Sequence, residues 1–401
     1  MRYLKKISLL AGLALMFGAC GDSPANSGDE PVNPNNPDTP DSPQEVVTKT
    51  DFAKGADISW VTELESKGHK FYNSKGEERE CTALMKELGL DAIRLRVWVD
   101  PKEHDNWCNT EDLVVKAKRA KDLGMEVMLD FHYSDWWADP GQQHKPASWK
   151  GLGLSDLKQA LADHTKNVLK ALKTAGVTPK WVQVGNEIRP GMLWDEDVKL
   201  SGASWDIKEN EVKGSNSTST AVKYPKNWSN LGAFIATAYD AVKTECADAI
   251  VIVHLDNGYD SGLYTWFFDE LKKNGGKWDM IGMSIYPYWT MLEHPEYTAT
   301  QTITECIANI NLVAKRYSCD VMIVETGMQC ADGKTGNLAS ASVLADGKTN
   351  LARLIKECKE NTNGRCKGVF YWEPECKPSQ YALGAFTEDG RPTVIMDAFA
   401  N

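Results

Sequence analysis

The chain has 401 residues, 25% charged and 42% hydrophobic, enough apolar content to bury a large core and too much for a disordered or fibrous protein. Its formal net charge of -11 argues against nucleic acid or another polyanion as partner, and suits a neutral ligand better than a pectic acid or a phosphate.

The first element is a targeting segment. Lys5 and Lys6 precede an apolar run over residues 7–17, and Gly18-Ala19-Cys20 follows. The run is too short to cross a bilayer as a mature helix. Small residues before a Cys, with Gly21-Asp22-Ser23 after it, resemble a bacterial lipobox, with Phe17 where Leu is more usual. The expectation is a lipoprotein signal peptide over residues 1–19, lipidation of Cys20, and an envelope protein held by several acyl chains. That places it at the bacterial cell envelope, on the outer membrane, facing the periplasm or the exterior. Residues 20–50 read as a linker, with Pro31, Pro34, Pro37, Pro40 and Pro43 at the three-residue period of polyproline II. The folded domain is expected over residues 51–401.

Of ten cysteines, nine remain beyond Cys20, an odd number. In an exported protein some should pair, and Cys330 with Cys376, each shortly after a predicted strand, is the favoured pair. No Cys-x-x-Cys occurs, so structural zinc is not expected.

Apolar, β-branched segments then recur, with amphipathic helical stretches between them. Strands are predicted over 52–58, 92–97, 126–131, 181–185, 250–254, 280–284, 321–324 and 368–371. Helices are predicted over 77–88, 110–123, 155–175, 228–246, 263–273, 303–317 and 347–361. This alternation predicts an α/β fold, a (β/α)8 TIM barrel with enlarged βα loops. A doubly wound sheet is the alternative, but no Gly-rich phosphate loop follows the first strand. The longest break, 189–227, predicts an extended loop after the fourth strand, forming a substrate wall with a Ser/Thr-rich tip.

Polar and aromatic residues crowd the strand C-termini, the catalytic end of such a barrel. The second strand brings Arg94, Arg96 and Trp98, and the third His132, Tyr133, Asp135, Trp136 and Trp137. The fourth ends in Asn186-Glu187, the fifth in His254, Asp256 and Asn257, the sixth in Tyr286 and Trp289. The seventh runs Met322-Ile323-Val324 into Glu325, and the eighth ends in Trp372-Glu373-Pro374-Glu375.

Two buried strands that each stop at a Glu, on opposite sides of one barrel, put two carboxylates on the same face. Retaining glycosidases need such a pair about 5–5.5 Å apart, one as acid/base and one as nucleophile. Arg94 or Arg96 is placed to hold Glu325 ionised, and Tyr286 to donate to it. Asn186 suits a sugar 2-hydroxyl, and Glu187 must start protonated in a less polar setting. Trp98, Trp136, Trp137, Trp194, Trp289 and Trp372 are candidate platforms for pyranose faces. His132 and His254 lack partners at zinc-hydrolase spacing, so no metal is expected.

Several segments together resemble the endo-β-1,4-galactanases of glycoside hydrolase family 53. They are Leu95-Arg96-Val97-Trp98, Asp130-Phe131-His132-Tyr133-Ser134-Asp135, Trp137-Ala138-Asp139-Pro140 and Gly185-Asn186-Glu187-Ile188-Arg189. The resemblance continues through His254-Leu255-Asp256-Asn257-Gly258, Ser284-Ile285-Tyr286-Pro287, Val324-Glu325-Thr326 and Phe370-Tyr371-Trp372-Glu373-Pro374. It implies Glu187 as acid/base, Glu325 as nucleophile, and internal cleavage of β-1,4-galactan, a pectic side chain, with retention and no cofactor. Several bacterial members bind calcium through acidic residues after strands seven and eight. Here Met328-Gln329-Cys330-Ala331-Asp332-Gly333 offers one carboxylate, so calcium is not expected. A monomer is expected. Competing readings are a related retaining endo-glycanase acting on mannan or β-glucan, and a non-catalytic surface glycan-binding lipoprotein.

Overall fold

The computed structural model describes residues 52–194, 199–201, 211–213 and 225–400. The chain divides into two units, Met1–Thr50 and Asp51–Asn401. The signal, lipobox and linker readings, Cys20 included, lie outside the described residues.

Eight parallel strands close a barrel: β1 (Ala53–Asp57), β2 (Ala92–Val97), β3 (Glu126–Phe131), β4 (Trp181–Val184), β5 (Ile250–Leu255), β6 (Met280–Ile285), β7 (Asp320–Thr326) and β8 (Cys366–Trp372). Each pairs with its sequence neighbour, and β8 closes on β1. The expected (β/α)8 barrel is the fold found. Helices alternate with the strands: α1 (Val61–Ser66), α2 (Cys81–Glu87), α3 (Thr110–Asp122), α4 (Leu154–Thr174), α5 (Pro225–Glu245), α6 (Ser261–Lys273), α7 (Pro287–Glu293), α8 (Ala299–Tyr317) and α9 (Ala341–Glu360). No helix among the described residues is long and apolar enough to cross a membrane.

The differences from the sequence reading lie at helix starts. Residues 77–80 do not begin a helix: Glu78–Arg79 pairs antiparallel with Phe71–Tyr72, and the Glu80 carboxylate caps α2 by accepting from the Thr82 and Ala83 amides. α9 begins six residues earlier than predicted, at a Ser340 cap. α1 and α7 are short and have no long apolar period to announce them. In the long loop Lys199–Ser201 pairs antiparallel with Glu211–Lys213, and the Ser/Thr-rich tip lies outside the described residues.

Period-two alternation divides the barrel interior into layers. Ala53, Ala92, Met128, Trp181, Ile252, Met280, Met322, Val324 and Phe370 form an apolar plug of their own, with a residue from every strand. Gly55 sits against it, since a Cβ there would lie 2.2 Å from the Phe370 ring. Two residues beyond the plug the inward positions turn polar: Arg94 on β2, Asp130 on β3, Gln183 on β4 and His254 on β5. The main core fills the outer space between strands and helices.

The described cysteines are all free, and the expected Cys330–Cys376 disulfide is not formed. The Cys330 thiol instead points to the Phe386 carbonyl at 3.7 Å, and Cys376 is buried close to Cys81.

Candidate active site

The site is built on the polar layer above the plug. Arg94, 1% exposed, is its anchor. Its guanidinium meets Asp57 Oδ2 at 2.6 Å, Asp130 Oδ2 at 2.9 Å and Glu325 Oε1 at 2.8 Å, and also donates to Gln183 Oε1 and Asn186 Oδ1. One buried cation therefore serves three carboxylates. Burial works against an ionised Asp130, but Arg94 and His132 overcome it and hold that group below the usual carboxylate range.

Glu325 reaches this layer through a backbone irregularity. Along β7, Met322 and Val324 point inward, so a regular strand would turn Glu325 away. The β6–β7 register shifts between Met283 and Ser284, so that Met283 faces Ile323 but Ser284 faces Glu325. Such a shift re-aims a side chain, and here it delivers the carboxylate to Arg94. The Tyr286 hydroxyl donates to Glu325 Oε2 at 2.9 Å.

Glu187 reaches the same space by a turn. Gly185 has φ +93°, and a Cβ there would lie 2.6 Å from Ile188 Cγ2. Glu187 itself is left-handed at φ 47°, a costly conformation for a residue with a side chain. Gln143, buried, holds the turn by donating to the Asn186 carbonyl at 2.7 Å. The Glu187 carboxylate accepts from Ser284 Oγ at 2.7 Å.

The two carboxyls have different surroundings. Burial raises both. Arg94 and Tyr286 pull against that rise at Glu325, which stands at about 7. Glu187, lined by Glu325, Asp256 and Asp139 with only Ser284 to offset them, rises well above its ordinary value. Glu187 is thus the group that keeps a proton and Glu325 the one that ionises first. A donor oxygen of each lies within 4.8 Å of the other, close enough for a retaining pair and too close for an inverting one.

Above this pair stands an aromatic wall. Trp137 lies 5.4 Å from Trp60 and 5.9 Å from Trp372 between ring centroids, and Trp372 lies 4.8 Å from Tyr381. Trp136 stacks on His104, and Trp289 on α7 lies 4.8 Å from Tyr288. Trp60, Trp136, Trp137, Trp289 and Trp372 keep partial exposure, as platforms require.

Several expected site residues have other roles. Arg96 does not reach Glu325: one layer higher than Arg94, it pairs with Glu373 and stacks on Trp60, Trp98 and Trp137. Trp98 and Trp194 are fully buried and serve as core. Tyr133 stacks on Phe131 and hydrogen-bonds Thr165, facing the helices. Asp135 braces loops by accepting from the Asp100 and Ala147 amides. Asp256 pairs with Arg189 at 2.9 Å and acts on Glu187 only through its field. Asn257 shapes the turn into α6, its carbonyl accepting from the Asp260 amide. His132 accepts from the Ala138 amide and meets Asp130 at 3.1 Å, which orients the third loop.

Asp57, Gln183, Ser284, Trp60 and Glu373 belong to the site although the sequence reading did not select them. Gln183 had a signal, a lone polar residue in the apolar run of β4. Ser284 had only its place at a strand end and in the Ser284-Ile285-Tyr286-Pro287 segment.

Donor atoms of Glu187, His254 and Glu325 cluster closely enough for a metal ion. Both imidazole nitrogens are engaged, however, Nδ1 with Gln183 and the Glu187 amide and Nε2 with Ser284 at 2.7 Å, so the set does not fit a cation. In the loop after β7, one oxygen of Asp332 is taken by the Lys334 and Thr335 amides.

A sequence profile described as Glycosyl hydrolase family 53 matches residues 53–393. The chain is 30% identical to the arabinogalactan endo-beta-1,4-galactanase A of Emericella nidulans, over 86% of this chain and 91% of the relative. It is 28% identical to the endo-beta-1,4-galactanase of Bacillus subtilis, over 88% and 75%. A solved structure of fungal beta-1,4-galactanases aligns with a TM-score of 0.70 and 26% identity, over 87% of this chain and 99% of that one.

Proposed function

The chain belongs to glycosyl hydrolase family 53, and from that membership we propose that it is a retaining endo-β-1,4-galactanase that cuts pectic β-1,4-galactan into galacto-oligosaccharides. The observation that carries the reading is the unequal carboxyl pair, Glu325 held by Arg94 and Tyr286 and Glu187 left with its proton.

Glu325 attacks the anomeric carbon while the glycosidic bond breaks and the leaving oxygen takes the Glu187 proton. Glu187, now a carboxylate, removes a proton from water, which opens the glycosyl ester and regenerates Glu325. Asn186 has one amide hydrogen on the Ala138 carbonyl, and the other is available to a sugar 2-hydroxyl. The half-exposed Trp faces bind neighbouring galactose rings. No cofactor enters any step.

In this reading Cys20 is the lipidated residue, residues 20–50 are the spacer that lifts the enzyme off its membrane, and the enzyme acts as a monomer. Debranched galactan, mannan and β-glucan offered to the domain from Asp51 onward test the substrate. Galacto-oligosaccharides from galactan alone are expected, and release from mannan or β-glucan instead would overturn it. Cys20→Ala should yield a soluble active enzyme, and its continued sedimentation with membranes would overturn the anchor.

A further inference from the structure

His254 and Ser284 are almost fully buried between the two catalytic carboxyls and have no part in the steps above. Their hydrogen bonds have a definite direction. The Glu187 backbone amide can only donate, and it points at His254 Nδ1 from 3.3 Å. Gln183 Nε2 lies 3.0 Å from the same nitrogen. Asn186 Oδ1, 3.1 Å away, takes the nearer Arg94 Nη2 donor at 2.9 Å. Nδ1 is therefore an acceptor. Burial and the Arg94 charge push His254 well below its ordinary value, so the ring is neutral and its one hydrogen sits on Nε2. That hydrogen goes to Ser284 Oγ at 2.7 Å.

The Ser284 hydroxyl accepts from the imidazole with one lone pair and must give its own hydrogen elsewhere. Two acceptors are in range: Glu187 Oε1 at 2.7 Å and Glu325 Oε2 at 3.5 Å. We propose that Ser284 is a positioning residue whose hydroxyl, oriented by His254, follows the negative charge between the two catalytic carboxyls during turnover. This rests on the galactanase reading of the same pair. Before attack Glu325 is the anion and Glu187 holds the proton, so the hydroxyl turns toward Glu325. Once Glu325 is esterified and Glu187 has lost its proton to the leaving oxygen, the hydroxyl donates to Glu187. No proton is transferred by Ser284; it only rotates. The rotation makes Glu187 a stable base in the second half of the reaction.

Other groups set the background. Glu187 is faced by Glu325 from β7, Asp256 beyond β5, Asp139 in the loop after β3, Tyr264 of α6 and Tyr286 beyond β6. The acids among them disfavour the Glu187 anion, and Ser284 is the donor that favours it.

The test compares wild type with Ser284→Ala, Ser284→Thr and Ser284→Cys. On an aryl β-galactobioside, whose good leaving group makes ester hydrolysis limiting, Ser284→Ala should lower kcat about tenfold and move its acid limb up by about one pH unit, with KM changed less. Ser284→Thr, which keeps the hydroxyl, should retain the wild-type profile, and Ser284→Cys should fall between. A ¹³C titration of the Glu187 carboxyl, assigned by its loss in Glu187→Gln, should show the same upward shift without any substrate when Ser284→Ala is added to Glu325→Gln, in which position 325 carries no charge, as in the glycosyl ester. An unshifted carboxyl on adding Ser284→Ala, or Ser284→Cys if the alanine variant does not fold, overturns the proposal. The carboxyl titration decides for or against Ser284 whatever the substrate proves to be, and wild-type turnover separately decides the galactanase reading.

Discussion

Two arginines on one strand show how a barrel makes a reactive centre and an inert one from the same residue type. Arg94 and Arg96 are two positions apart on β2, both point inward, and both are about 1% exposed. Arg94 spends its donors on three carboxylates and two amide oxygens. Arg96 meets one carboxylate, Glu373, lies 4.2 Å from the Trp137 ring centroid, and leaves Nε and Nη2 without partners. Glu375 is hydrogen-bonded to Glu373, and burial followed by that acidic neighbour raises it well above its usual range. The lesson is one of charge count. Three acids on one cation leave excess negative charge, which an open cleft with Glu187 can use for chemistry. Around Arg96 the second acid keeps its proton, the unit is close to neutral, and it acts as a rigid floor for the aromatic wall.

The largest expected effect removes the reacting carboxylates. Glu325→Ala should lower kcat about 10⁵-fold on every substrate, as loss of a nucleophile does. Glu187→Ala should spare substrates with good leaving groups and respond to added azide. Equal losses in both, with no azide response, would break the assignment of roles.

Next comes the anchor of the reactive centre. Arg94→Lys keeps a charge but loses the planar fork, and should cost about 10²–10³ in kcat. Because Arg94 lowers Glu325, the acid limb of kcat/KM should move to higher pH. A variant with an unmoved limb would mean that Arg94 is only structural.

Arg96→Met should act differently if the comparison is right. It leaves Glu373 buried without its cation, at a cost of about 3–5 kcal/mol in urea unfolding. It should also raise KM more than it lowers kcat, because the Trp wall loosens while the carboxyl pair stays intact. A fall in kcat with KM unchanged would erase the distinction between the two arginines.

The smallest effect sharpens the claim that the second acid beside Arg96 keeps its proton. Glu373 is raised to about 7 and Glu375 well above its usual value, mainly by burial. Groups raised in the folded state stabilise it at pH below their unfolded value, and that contribution is lost as pH rises through about 7 and beyond. Glu375→Gln removes the group that must ionise, so its melting temperature should exceed wild type by about 2–4 °C near pH 9. A difference no larger at pH 9 than at pH 5 would mean that Glu375 does not hold a proton.

Much of this molecule could be read from residue order alone, because the information is local. Apolar runs of four to seven residues separated by amphipathic stretches specify a parallel barrel, since both faces of each strand must be buried. Polar residues at strand ends then fall on one rim, and Glu187, Glu325, Asn186 and Tyr286 were found that way. The errors share a cause too. Tyr133 sits at a strand end with the right chemistry, yet its left-handed backbone turns its ring to the helices, and Trp194, ten residues past the end of β4, is buried as core. The hairpin over residues 71–79 was hidden because strands of two residues have no period.

Residue order therefore set the architecture and singled out the two carboxyls proposed to react, through periodicity and burial. Their unequal proton affinities, the separate duties of Arg94 and Arg96, and the placing of Ser284 between the carboxyls came from the closed barrel. Each depends on distances of about 3 Å between strands far apart in the chain, and a one-residue slip of β7 against β6 is what brings Glu325 to Arg94.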